Sequence, residues 1–153
     1  MYTTVLLLHS LFRWVVLLVG VLALLRGLSG WNGSRPWTPS DARAGSIFAM
    51  TLDIQMLLGL ILYFGLSPIT RAALQDFGAA MASSGLRFWA VEHVFGMVVA
   101  IAFAHIGKKR IARTHDERRR HRVAAVFYGL ALAAVLISTP WPGLPNGRPL
   151  LRW

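Results

Sequence analysis

No cysteine occurs anywhere in the 153 residues. That excludes disulfides, iron–sulfur clusters, thiolate haem ligands and covalent c-type haem, and leaves the compartment open. Acidic residues are scarce too: six, against sixteen lysines and arginines, for a net charge of +10. Charged residues make up only 14% of the chain. No phosphate-binding glycine loop, zinc motif or hydrolase triad is recognisable. The first apolar run lacks the marks of a secretory signal. No basic segment precedes it, no small-residue cleavage site follows it, and Arg13 interrupts it.

What is abundant is apolar: 56% of residues are hydrophobic. Four runs, at about 2–25, 46–66, 86–106 and 123–141, each approach the ~20 residues that span a bilayer. The connections are short. The expectation is an all-α integral membrane four-helix bundle, with residues 1–153 forming a single transmembrane domain.

The positive charge is concentrated in two connections. Lys108, Lys109, Arg110, Arg113, Arg118, Arg119, Arg120 and Arg122 lie between the third and fourth runs, and Arg26, Arg35 and Arg43 around the first connection. By the positive-inside rule both connections are cytoplasmic and both termini lie outside. The basic run then serves topology and attraction to anionic lipid. It lacks the interleaved aromatics and the fold of a nucleic-acid binder, so no nucleic-acid partner is expected.

The third run, LRFWAVEHVFGMVVAIAFAHIG, carries Glu92 and His93 inside it and His105 near its end. Ionisable groups are costly in hydrocarbon and by default face the protein interior and mark function. In the first run His9 and Arg13 are four residues apart and share a face, to which Gly20 and Gly27 return. In the third, His93, Met97, Ala100 and Ala104 share a face, with Gly96 and Gly107 beside it. Small residues on both faces suit the approach of a flat cofactor and suit helix packing equally.

At ~1.5 Å per residue, His9 and His93 both lie ~10 Å in from the outer side. Two imidazoles at one depth on two helices are what a bis-histidine b-type haem needs, with Glu92 at the same level as a candidate partner for a ring. Arg13 lies ~16 Å in, which predicts an ion pair with Asp53 or Glu92, the only carboxylates inside the runs. That pair either locks helices together or serves a propionate, proton or quinone site. Asp53 and Gln55 point ~160° apart. Gln55, Gly59 and Tyr63 form one face, and Asp53 needs a separate partner or a proton. Ser40 or Asp41 is the expected cap of the second helix. The segment 67–85 reads as an outer connection with a short interfacial helix, and the tail to Trp153 as surface-bound or docked. His105 and His121 are candidates for a second haem at the inner side, or are interfacial histidines.

The segments LHSLFRW (8–14), DIQMLLGLILY (53–63), LRFWAVEHVFGM (86–97), AHIGKKR (104–110), HR (121–122) and PWP (140–142) together resemble a family of small bacterial four-helix membrane proteins labelled cytochrome b. Many members of that family carry proline after the EH pair, where this chain has Val94. The resemblance implies a haem-binding electron-transfer role in a bacterial inner membrane. On it, His9, Arg13, Gln55, Arg87, Glu92, His93, His105 and His121 fall at motif positions. The combined reading is a b-type cytochrome exchanging electrons with quinol or a larger respiratory or photosynthetic assembly. Its ligands are His9 and His93, with Arg13, Glu92, Gly20 and Gly96 lining the cofactor. Two rivals remain: a non-haem accessory subunit whose polar groups lock helices, and a proton or ion pathway through Arg13, Asp53 and Glu92.

Overall fold

The computed structural model describes residues 1–150. The expected bundle is present and all-α: among these residues there is no strand, and four helical stretches are long and apolar enough to cross a membrane. Helix α1 is Tyr2–Leu28. Helix α2, Pro39–Leu60, runs on as a π-helical stretch, Ile61–Leu66. Three short helices follow: α3 (Pro68–Gln75), α4 (Phe77–Ala82) and α5 (Ser84–Arg87). A second π-helical stretch, Phe88–Glu92, leads into α6, His93–Ala112, and α7 is Glu117–Ser138. The tail's last three residues, 151–153, lie outside the described residues.

The first capping expectation needs correction. Helix α2 begins seven residues before the apolar run, because Pro39 suits a first helical turn and Thr38 stands at the cap. Asp41 is buried and reaches back to accept from the Thr38 N–H at 2.9 Å and its hydroxyl at 2.8 Å. It also takes Arg35 in a two-pronged pair, at 2.6 and 3.0 Å, with Arg26 at 3.4 Å. That carboxylate holds the Arg35 guanidinium more firmly charged than usual. These contacts fasten the first connection to the basic end of the bundle.

The long helices pack in the ring order α1–α2–α6–α7, so α1 and α6 face each other across a diagonal. Helix α7 is the most enclosed of the four. Its Ala124, Ala125 and Ala131 present almost no side chain, which lets neighbours approach closely. Gly27 of α1 is such a neighbour: a Cβ there would meet the Ala125 backbone nitrogen at 2.5 Å. Phe48, Val16, Leu52 and Val135 fill the centre. Large apolar side chains point outward instead, among them Leu18, Phe64, Phe95 and Ile137. Exposed apolar surface around a satisfied helical backbone is what a bilayer requires.

Candidate cofactor site

The two histidines singled out in the sequence do meet. His9 lies 19 residues before Leu28 and His93 19 residues before Ala112, so the antiparallel ring brings them to one level. Their ring centroids are 6.3 Å apart, with planes at 73°. Both line one cavity of about 280 Å³ at the end of the bundle away from the basic connections. Gln55, Gly59, Tyr63 and Met97 line it too.

Each ring is held by its surroundings. The His93 Nδ1–H donates to the Ser138 carbonyl at 2.8 Å, since a carbonyl only accepts. That fixes the tautomer and leaves Nε2 as a lone pair with no hydrogen-bond partner among the described residues. The Phe88 and Trp89 rings stand 5.9 and 5.8 Å from it. Across the cavity, Gln55 donates its amide to the His9 backbone carbonyl at 3.0 Å and lies 3.5 Å from His9 Nε2. Gly59 leaves room for the His9 ring: a Cβ there would stand 3.3 Å from His9 Cε1. Among the described residues, His9 Nδ1 and Gln55 Oε1 are buried with no hydrogen-bond partner. Buried polar atoms are rarely left so, and these two are positions that a ligand or an ordered water would satisfy.

Two imidazoles on opposite sides of one metal ion, each bonded at about 2.0 Å, hold their ring centroids about 6 Å apart. The 6.3 Å separation fits such a pair, and a carbonyl behind one ring is the support that a ligating histidine usually has. The donor set therefore fits b-type haem.

Several other expectations are corrected. Glu92 does not back a histidine: it pairs with Arg87 at 2.7 Å on the exposed side, because consecutive helical residues point about 100° apart. Nor does Arg13 pair with Asp53, which instead meets His105 at 2.9 Å on an outward face. Arg13 uses its length to reach the folded-back tail, donating to the Leu150 carbonyl at 2.8 Å, and Trp14 donates there at 3.3 Å. It still lines the cavity, as does Arg148 of the tail. Gly20 and Gly96 serve packing: Gly20 sits under Phe48 and Leu132, and Gly96 under the Ser138 hydroxyl.

The two histidines of the basic end are not brought together as a second haem would need. His105 is taken by Asp53, half-exposed. His121 is fully buried. Its Nδ1 donates to the Arg26 carbonyl at 3.1 Å, and its ring packs on Gly30 and against Trp37. Sequence reasoning missed Ser138, Tyr63's partner Ala90, and Arg148. Only the aromatic pair of Phe88 and Trp89 before His93 signalled the wall around that ring.

Fold, apolar exterior and four long helices define the class, a multi-pass all-α membrane protein. No family model, curated protein or solved structure matches the chain.

Proposed function

We propose that the protein is a b-type cytochrome-like electron carrier of a bacterial inner membrane, holding one haem between His9 and His93. The reading rests on one observation above all: two imidazoles from diagonal helices, 6.3 Å apart in a shared cavity. Haem supplies a one-electron redox centre when bound. The chain's own part is to place one neutral imidazole on each side, to hold the His93 tautomer through Ser138, and to exclude water with Trp89 and Met97. Two histidine ligands, His9 and His93, would suit a bound haem to electron transfer and not to oxygen binding. Quinol or a larger respiratory or photosynthetic complex is the proposed exchange partner, and anionic lipid the partner of the basic, cytoplasmic end.

The test is the visible spectrum of protein purified from haem-replete cells. A Soret band, with α and β bands that sharpen on reduction, is expected. His93→Ala and His9→Ala should each abolish the low-spin spectrum while the protein still inserts. Absence of any Soret absorbance replaces this reading with a non-haem accessory subunit. Haem that survives both substitutions unchanged places the site elsewhere.

A further inference from the structure

Arg148 of the tail brings a cation to the cavity with no acid side chain to meet it. The tail turns back at Pro140, where the Arg148 N–H donates to the Pro140 carbonyl at 3.0 Å. The Arg148 guanidinium stands over the Trp89 ring, 5.1 Å from its centroid, and has no hydrogen bond or ion pair among the described residues. Trp89 in turn lies 5.8 Å from the His93 ring. Arg13 reaches the Leu150 carbonyl, close along the tail to Arg148, so the two guanidiniums converge on one stretch of chain. Both line the cavity, and none of the six acidic side chains does so. Asp41, Asp53 and Glu92 are held by Arg35, His105 and Arg87. Asp76 and Asp116 cap α4 and α7, and Glu117 stands in the first turn of α7 at the basic end. The other walls of the cavity are largely apolar, with Leu6, Leu52, Leu60 and Ile101 among them.

We propose that the cavity takes a carboxylate carried on an apolar body, with Arg148 as its anchor. A guanidinium over an aromatic face keeps the N–H edge of its planar fork for an acceptor, and a carboxylate matches that fork with two oxygens. A cation held against apolar walls is costly until an anion meets it. The apolar body packs on the walls that Leu52 and Ile101 supply. A carboxylic acid crosses hydrocarbon in its protonated form and ionises at the guanidinium, whereas a phosphate group keeps its charge at neutral pH. Two kinds of molecule carry this group on an apolar body, haem through its propionates and a free fatty acid. The first rests on the cytochrome reading, and the second stands apart from it.

The test has two arms. In nanodiscs, a hexadecanoic acid probe carrying a diazirine should label the segments 86–97 and 139–150 on irradiation, as mapped by mass spectrometry. Excess free hexadecanoic acid should suppress the labelling, and its methyl ester should not. Arg148→Gln should weaken the labelling about tenfold, the scale of one charge-assisted hydrogen bond. Arg71→Gln, at an exposed cation of α3, should leave it unchanged. Arg148 lies in the tail, so the helix content of its variant should match the parent by circular dichroism. In the second arm, titration of the purified protein, followed at the Soret band, compares haem b with its dimethyl ester. Binding of the free acid about tenfold tighter than the ester, a difference lost in Arg148→Gln, assigns the anchor to a propionate. Failure of both haems to bind, with the fatty acid still held through Arg148, ends the cytochrome reading and leaves the carboxylate site standing. Preference for the acid over the ester in neither arm overturns the proposal, and so does a preference that Arg148→Gln leaves intact.

Discussion

The Tyr63 hydroxyl donates to the Ala90 carbonyl at 2.8 Å, joining the π-helical stretch that ends the α2 span to the one that begins the α6 span. A π-helical turn shifts the hydrogen-bond register, and such turns concentrate at functional sites. Here both flank the cavity, and Thr70 fastens the first by donating to the Tyr63 carbonyl at 2.7 Å. Tyr63→Phe removes one hydrogen bond and no packing. It should cost about 0.5–1.5 kcal/mol, read as a lower melting temperature in detergent. No change would mean that the tie is dispensable.

The basic end should respond to its buried carboxylate. Arg35→Ala leaves Asp41 buried with Arg26 and Thr38 only, and should cost about 1–3 kcal/mol, less than a wholly buried pair because Arg35 is partly exposed. Adding Asp41→Ala should recover part of the loss. Strictly additive losses in the double variant would show that the two residues act apart.

Glycine substitutions should separate packing from spacing. Gly27→Ala drives a methyl into the Ala125 backbone and should destabilise the bundle by roughly 1–3 kcal/mol. Gly65→Ala meets nothing within 4 Å and should fall within about 0.5 kcal/mol of the parent. Thermal unfolding of the two variants side by side checks the contrast.

Orientation should follow from charge. Cysteines placed one at a time at Ala79 and His115, both exposed, should differ in intact cells: an impermeant thiol reagent should label the first and spare the second. The reverse pattern would turn the protein over in the membrane.

The spans were legible because a run of ~20 apolar residues has few other uses. Helical phase alone separated Gln55, which turns inward to His9, from Asp53, which turns outward to His105. Counting residues from the ends was enough to level His9 with His93. What stayed hidden has a common cause. The acceptor behind His93 is a backbone carbonyl, at Ser138, and a carbonyl has no letter in a sequence. The reach of Arg13 to Leu150 depends on a tail that turns back at Pro140, where Arg148 donates its N–H to the Pro140 carbonyl at 3.0 Å. Burial of His121 depends on Gly30 and Trp37, which read as loop residues until the loop is seen folded over the helix ends.

Helix α7 sits between α1 and α6 and is also the last of the long helices to leave the ribosome. The first three can enter the bilayer as hairpins, but they cannot close around the histidines. The brace for His93 comes with Ser138, and the cavity wall at Thr139, Pro140 and Arg148 comes later still. Through most of synthesis the chain therefore lacks the brace for His93 and that part of the cavity wall.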